Sequence, residues 1–134
     1  MRYMLDTNIC IYLMRSSSRK LDARFASLHV GDACVSSITY GELRVGVEKS
    51  VDRKADEAAL AALLGDLIVA PFDAEAAVSY GILRATVPGR QRNALDRLIA
   101  AHAICLGATL VTNKEQDFTG YPRLSVENWV APVR

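Results

Sequence analysis

The sequence predicts an α/β protein in which a central parallel sheet is flanked by helices on both sides. Two observations predict this class: short, largely apolar runs alternate with longer segments, and in those longer segments apolar residues recur at helical spacing. Strands and helices that alternate in this way are typical of a parallel sheet covered on both faces. With 134 residues and no visible linker or repeat, the chain is expected to be a single domain over residues 1–134.

One strand and two helices are predicted at the start of the chain. Residues 2–5 form a short run that suits a buried strand, and Asp6 or Thr7 directly after it is a candidate N-cap of a helix. Serines at 16–18 interrupt the helical pattern. Apolar residues at helical spacing then predict a second helix over 21–28.

A second strand and more helices follow. Residues 33–37 are short and largely apolar, and they lead into a segment that has the capping-box pattern of a helix start, with Thr39 as N-cap and Glu42 as its acidic partner. Helical spacing continues from Glu42, is interrupted near residue 51, and resumes over 55–67.

The remaining predicted elements alternate in the same manner. We expect strands at 68–72, 109–112 and 124–126, and helices at 74–86 and 95–106, the first of these helices closed by Pro88-Gly89. The basic loop 90–93 separates the two helices.

Composition narrows the classes of protein that fit. The chain is 51% hydrophobic and 23% charged, as in globular proteins, and it contains no apolar run long enough to cross a membrane. An early carboxylate argues against a signal peptide, so a cytoplasmic protein is expected. The odd cysteine count and apolar neighbours indicate that Cys10, Cys34 and Cys105 are reduced core residues. A net charge of +1 neither favours nor excludes nucleic-acid binding.

Acidic residues follow several predicted strands. Asp6 ends the first strand, Glu42 lies one helical turn beyond the second, and Asp117 follows the strand at 109–112. Asp96 instead begins the helix that leads into that strand. Ligands of parallel sheets sit at the carboxyl ends of the strands, and Mg²⁺ prefers convergent carboxylate oxygens. These residues are therefore candidate ligands of a magnesium site.

Each of these residues also has a structural interpretation. Asp6 can cap a helix, Glu42 can complete the capping box, and Asp96 can complement a helix dipole. For any one residue alone the structural interpretation is the better one, because helix starts favour acidic side chains. Asp117 is the weakest candidate, since Glu115 lies beside it in the same polar loop.

The strings around these residues decide between the two interpretations. They are Met4-Leu5-Asp6-Thr7-Asn8, Ser36-Ser37-Ile38-Thr39-Tyr40-Gly41-Glu42-Leu43, Asp96-Arg97-Leu98-Ile99-Ala100-Ala101-His102-Ala103, Leu110-Val111-Thr112-Asn113 and Val126-Glu127-Asn128-Trp129. In this order and spacing the sequence resembles the PIN-domain family and, within it, the VapC-type toxins of bacterial toxin-antitoxin pairs. The resemblance covers essentially the whole chain.

This resemblance implies a PIN-domain fold and a metal-dependent endoribonuclease. Asp6, Glu42 and Asp96 would hold Mg²⁺ or Mn²⁺ and position a water for attack on an RNA phosphodiester, and Asp117 matches the family's variable fourth acidic position. It also implies a homodimer, inhibition by a cognate VapB-like antitoxin, and operator DNA bound through that antitoxin. The helices at 21–28 and 58–67 are candidate surfaces for these protein contacts.

Other polar residues keep two interpretations each. His102 shares a helix face with apolar residues, which favours a structural histidine over a general base. A further set can orient ligands or act as caps and turn formers: Thr7, Asn8, Thr112 and Asn113. Two basic sets can grip RNA phosphates or simply face water: Arg90, Arg92 and Arg97, and Arg15, Arg19, Lys20 and Arg24.

Two rival functions come from other classes. The first is a PIN-like module that binds RNA or protein without cutting it, its carboxylates serving as caps; the full set of acids weighs against this. The second is a phosphatase with Asp6 as covalent nucleophile. Such an enzyme would normally need a second acid two residues later, and position 8 is Asn.

Overall fold

The computed structural model describes residues 1–87 and 94–131. Its strands are β1 (Tyr3–Leu5), β2 (Ala33–Ser36), β3 (Ile68–Ala70), β4 (Thr109–Val111) and β5 (Val126–Glu127). Its helices are α1 (Thr7–Arg15), α2 (Arg19–Ala26), α3 (Ser37–Glu48), α4 (Arg53–Leu64), α5 (Ala74–Thr86) and α6 (Ala94–Leu106), with a 3₁₀ turn at Glu115–Phe118. The predicted order of strands and helices is confirmed, whereas the predicted Pro88-Gly89 helix end lies outside the described residues.

The strands form one fully parallel sheet in the order β3-β2-β1-β4-β5. β1 lies in the middle, where Tyr3 pairs with Ala33 of β2 on one side and with Thr109 of β4 on the other. The chain adds β2 and β3 on one side of β1 and then returns to add β4 and β5 on the other. In sheets of this kind the ligand crevice opens where the strand order reverses, at the carboxyl ends of the strands.

Both faces of the sheet are covered, as predicted. Alternate residues of a strand point to opposite faces, so Leu5 joins a core with α1 to α4 while Met4 joins a core with α5 and α6. Each helix of the first core contributes a fully or nearly fully buried apolar residue, such as Ile9, Leu21 and Leu60. This burial on both faces explains why the central strands β1, β2 and β4 are largely apolar.

Side-chain caps fix where most helices begin. The side chains of Asp6, Ser18, Ser36, Asp52 and Asp73 each accept a hydrogen bond from a backbone N–H in the first turn of the helix that follows. Such caps satisfy donors that the helix itself leaves unpaired. The cap at Asp6 also places a carboxylate at the carboxyl end of the central strand.

Two expectations about burial need comment. Cys10 and Cys34 are buried free thiols, as predicted, but Cys105 is only half-buried, so its assignment to the core was wrong. It lies in the last turn of α6, where the helix reaches the surface. None of the helices in the described part of the chain is long and apolar enough to cross a membrane.

Candidate active site

Asp6 lies at the carboxyl end of β1, at the point where the strand order reverses. Its backbone N–H donates to the Val111 carbonyl of β4 at 3.1 Å, which ties it to the neighbouring strand. Its Oδ1 accepts from the Ile9 N–H at 2.9 Å, so the predicted cap is present. Its Oδ2 is buried and has no hydrogen-bond partner. One oxygen therefore caps α1 while the other remains free for another ligand.

The electrostatics of Asp6 reflect this unpaired burial. The residue is only 2% exposed, and burial raises the pKa of its carboxyl above the usual value. The Thr112 hydroxyl is near enough to lower the pKa although it makes no hydrogen bond of standard geometry with Oδ2, and the Ile9 N–H and the Lys114 charge lower it as well, in that order; together they do not cancel the effect of burial. The charge of Asp96 raises it further.

Glu42 reaches the same region through a hydrogen bond. The Thr7 hydroxyl donates to Glu42 Oε1 at 2.6 Å and links the start of α1 to α3. The predicted capping box was wrong, because Ser36 caps α3 through the Ile38 N–H at 3.1 Å and Thr39 lies inside the helix. Glu42 is therefore not a capping residue, and its carboxylate is bonded to Thr7, the residue that follows Asp6.

Asp96 is in the first turn of α6 and is half-buried. Its Oδ2 lies 3.8 Å from the Lys114 ammonium, which is supplied by the loop after β4. Burial is the main reason that its pKa is raised; Lys114 opposes this shift and the charge of Asp117 adds to it. Asp96, Lys114 and Asp117 therefore form one electrostatic group with Asp6.

The structure separates the two candidates for the fourth acid. Asp117 lies in the 3₁₀ turn and is close enough to Asp96 to raise its pKa. Glu115 is exposed, and its Oε1 accepts a hydrogen bond from Asn128 Nδ2 at 2.7 Å. The structure therefore brings Asp117 rather than Glu115 towards the other acids. Within residues 1–87 and 94–131, no three His, Cys, Asp or Glu side chains form a ready-made metal site.

Two roles were open for the polar residues that follow β1 and β4: orienting a ligand, or capping a helix and forming a turn. Thr7 holds Glu42, whereas Thr112 Oγ1 accepts from the Lys114 N–H at 3.1 Å and fixes the turn that carries the lysine. Asn113 Nδ2 donates to Tyr12 Oη at 3.2 Å, while its Oδ1 is buried and has no partner. Asn8 is half-buried in α1.

His102 is part of the packing between helix and sheet. It is 1% exposed, its Nδ1 lies 2.8 Å from Ser36 Oγ, and its ring meets Phe72 edge to face at 5.3 Å. Burial lowers its pKa, and the charge of Asp73 partly opposes this. These contacts agree with the structural interpretation of His102 and give it no link to the four acids.

The basic residues differ from one another in their surroundings. Arg97 is only 6% exposed, and its Nε and Nη1 atoms have no hydrogen-bond partner, so a water-facing role was wrong for this residue. Arg90 and Arg92 lie outside the described residues. The second basic set, Arg15, Arg19, Lys20 and Arg24, is exposed. Within it, the Arg24 guanidinium stacks 4.8 Å from the Trp129 ring centroid.

Lys114 is the one member of this group that sequence reasoning missed. It lies in a polar loop among acidic residues, where a lysine is most simply interpreted as a solvated charge. Only the packing of α6 against β4 shows that its ammonium faces Asp96. Its position directly after the Thr-Asn at the end of a strand was the available signal.

This fold and this acidic group define a known class. The sequence model of the PIN domain matches residues 3–124, so the chain belongs to the PIN-domain family. The predicted resemblance to that family is confirmed.

The relatives within this family are VapC ribonucleases. The chain is 35% identical to the tRNA(fMet)-specific endonuclease VapC of Shigella flexneri over 131 residues, which cover 96% of this chain and 98% of that protein. Among solved structures, VapBC2 from Rickettsia felis bound to a promoter DNA fragment superposes with a TM-score of 0.85 at 35% identity, covering 96% of this chain and 99% of that one. DNA-bound VapBC from Salmonella typhimurium gives a TM-score of 0.85 at 33% identity, covering 96% and 98%.

Proposed function

We propose that this chain is a VapC-type endoribonuclease, the toxic component of a toxin-antitoxin pair, and that it hydrolyses RNA phosphodiester bonds with the help of Mg²⁺. The observation that carries the proposal is the acidic group at the switch point of the sheet. Four observations support it: Asp6 has a buried carboxylate oxygen without a hydrogen bond of standard geometry, Asp96 raises the pKa of Asp6, Asp117 raises the pKa of Asp96, and Glu42 is bonded to Thr7, the residue after Asp6. The chain is further proposed to act as a single domain.

The donor set fits a divalent cation. Asp6, Glu42 and Asp96 would hold the ion and Asp117 would be the fourth acid; all are oxygen ligands, which Mg²⁺ and Mn²⁺ prefer. A buried carboxylate oxygen without a partner is costly unless a cation or donor meets it. Because crowded carboxylates repel one another, we expect these side chains to draw together when a cation neutralises them. A bound magnesium ion would lower the pKa of a water and neutralise phosphate charge.

The residues of the chain have separate tasks in this proposal. Asp6 is fixed by its own cap to α1, so its free oxygen points from a rigid strand end rather than from a loop. Thr7 fixes the carboxylate of Glu42 by donating its hydroxyl proton. Lys114 holds Asp96 and adds positive charge where an RNA phosphate would approach. The acids would therefore bind the metal, and Lys114 would supply a positive charge beside them.

A transfer RNA is the substrate to test first. The Shigella flexneri relative, similar over nearly the full length of both chains, bears the name of a tRNA(fMet)-specific endonuclease. We propose that this chain cuts an RNA of the same class. Because such a substrate is found in the cytoplasm, we propose that the protein acts there.

A VapB-like antitoxin is the proposed protein partner. The Rickettsia felis and Salmonella typhimurium structures are VapBC complexes bound to DNA. By this similarity we propose that the chain is a homodimer, that a cognate antitoxin inhibits it, and that operator DNA is bound through the antitoxin. Apolar side chains between α2 and α4, including Phe25 and Leu63, line a groove that suits a protein contact.

The proposal is tested by incubating purified chain with initiator tRNA and with total RNA, in Mg²⁺ and then in chelator. We expect discrete products that require the metal and that Asp6→Asn and Asp96→Asn abolish. The matched control is Asp52→Asn, which alters an exposed helix cap far from the acids and should leave cleavage unchanged. Folded wild-type protein that binds RNA in Mg²⁺ without cutting it would instead support the binding module.

A further inference from the structure

A cavity adjoins Glu42. It lies between α1, α3 and α4 and has a volume of about 120 Å³, whereas a single ordered water needs only about 10–15 Å³. Glu42 forms part of its wall, and Oε1 of this residue accepts from the Thr7 hydroxyl at 2.6 Å. Arg15 and Gly46 also line the cavity and are exposed, so it opens to solvent beside the acidic group.

The walls of the cavity are mostly apolar. The apolar residues in its lining come from all three helices and are Ile11, Met14, Leu43, Val47 and Ala59. Gly46 adds no side chain, and a Cβ at this position would meet no atom within 4 Å. Glycine inside a helix is less favourable than alanine, and the packing around Gly46 does not require it. The glycine therefore leaves room in the cavity that a larger residue would fill.

Arg15 differs from two other members of its basic set. The Arg24 guanidinium lies 3.7 Å from the Glu127 carboxylate, and Lys20 donates to the backbone carbonyl of Ala131. Arg15, at the end of α1, forms no ion pair within the described part of the chain. Its charge is therefore available to an anion that approaches the cavity.

An RNA nucleotide matches these features. A phosphodiester that reaches Glu42 brings the base of the adjoining nucleotide within one sugar of the cavity. Unpaired RNA bases can be splayed out of the strand and bound by their faces and edges. An arginine without an acidic partner favours a ligand that carries a phosphate. Asp56, also in the lining, can accept a hydrogen bond from the amino group of a base.

We propose that this cavity binds the base of the nucleotide next to the cleaved bond and that Arg15 binds a phosphate of the same nucleotide. The inference rests on the proposed function, because it assumes that RNA reaches Glu42. It extends that function by assigning residues that recognise RNA and hold no metal. Occupation by the antitoxin alone is the alternative, since the groove between α2 and α4 shares Met14 and Ala59 with this cavity.

The experiment compares Arg15→Gln and Gly46→Leu with wild type. Binding of fluorescently labelled initiator tRNA is measured by anisotropy in chelator at several salt concentrations, and cleavage kinetics are measured in Mg²⁺. Arg15→Gln should raise the Kd about tenfold and reduce the slope of log Kd against log salt by about one, as the loss of one phosphate contact does. Gly46→Leu, which fills the cavity, should raise the Kd and the KM about tenfold while kcat stays within about twofold.

Matched variants separate these effects from general ones. Arg19→Gln removes an exposed arginine of the same basic set that does not line the cavity, and Gly81→Leu enlarges an exposed glycine of α5 that also has open space around it. Both should match wild type. Arg15→Lys keeps the charge and should bind RNA more tightly than Arg15→Gln. Because leucine favours a helix more than glycine does, Gly46→Leu should have a Tm at least as high as that of wild type.

The possible results separate this inference from the proposed function. An unchanged Kd and KM in either Arg15→Gln or Gly46→Leu would overturn the inference even if wild type cuts RNA in Mg²⁺. Variants that lose binding of a VapB-like antitoxin and keep their affinity for RNA would overturn it as well. RNA binding that depends on both residues, in a wild type that never cuts RNA, would support the nucleotide site and overturn the proposed endoribonuclease.

Discussion

Replacing Asp6 by Asn should stabilise the metal-free protein while it removes activity. Asp6 Oδ2 is buried without a partner, and burial raises the pKa of the carboxyl, so the fold favours the neutral form. Asparagine is neutral, has nearly the same shape, and caps helices as well as aspartate does. The substitution therefore removes an unfavourable buried charge and keeps the hydrogen bond to the Ile9 N–H.

The size of this effect follows from two opposing contributions. A buried polar group without a partner costs about 1–3 kcal/mol and a charged one costs more, so the asparagine amide keeps the first cost and removes the extra cost of the charge. The favourable interaction of a charged cap with the dipole of α1, worth about 0.3–1 kcal/mol, is lost in the variant. A net gain in the free energy of unfolding of about 1 kcal/mol remains, which for a chain of this length raises the Tm by about 3 °C.

The contribution of Asp6 to the free energy of unfolding should change with pH in the opposite direction from that of an aspartate whose pKa is lowered by folding. Because the pKa of Asp6 is higher in the folded than in the unfolded state, its contribution to stability is full below the unfolded pKa and is lost as pH rises through the folded pKa. The advantage of Asp6→Asn should therefore be largest at neutral pH and should shrink as the pH falls.

In the presence of Mg²⁺, wild type should become more stable than Asp6→Asn. An ion at a hundredfold its Kd stabilises wild type by about 2.7 kcal/mol, and the variant should gain much less. Urea unfolding and calorimetry, carried out in chelator and in Mg²⁺, measure the stability of the metal-free and the metal-bound protein. Asp52→Asn is the matched cap control. A variant that is less stable than Asp52→Asn in chelator would refute the claim that Asp6 carries an unfavourable buried charge.

Three further predictions follow from the same geometry. Thr7→Val should lower kcat about tenfold with little change in Tm, because it removes the hydroxyl that donates to Glu42 and leaves the core contacts intact. Thr7→Ser keeps a hydroxyl, so equal losses of kcat in the two variants would contradict this. Asp117→Asn should weaken Mn²⁺ binding in calorimetry, whereas Glu115→Gln should not, and the reverse order would make Glu115 the fourth acid. Burial lowers the pKa of His102 in the folded state, so the contribution of this residue to stability is full above about pH 6.5 and is lost as the pH falls through the folded pKa. When the pH is lowered from 8 to 5, the Tm should therefore fall less in His102→Gln than in wild type.

Much of the fold was predictable because the signals are local. The helix Ala74–Thr86 has the predicted bounds, with Asp73 capping its start, and the strands agree within a few residues. The start of α3 was wrong because Ser36 and Thr39 both suit a cap. Only the end of β2 at Ser36 decides between them, and that depends on pairing with β3.

The candidate site was predictable only in part. The acids after β1 and β4 share an edge because strand ends of a parallel sheet do, which spacing alone predicts. The contacts of Thr7 with Glu42 and of Lys114 with Asp96 join residues far apart in the chain, so they depend on strand order and helix packing. For the same reason, the sequence did not predict that Arg97 would be buried.

The central position of β1 has a consequence for biosynthesis. Tyr3, Met4 and Leu5 are made long before their partners Thr109, Leu110 and Val111, which emerge only after the segments that form β2 and β3. Contacts between segments so distant in sequence form late and slow folding. A chain that ends before β4 lacks Lys114 beside Asp96, so the group of charged residues is assembled only after β4 and Lys114 have been synthesised.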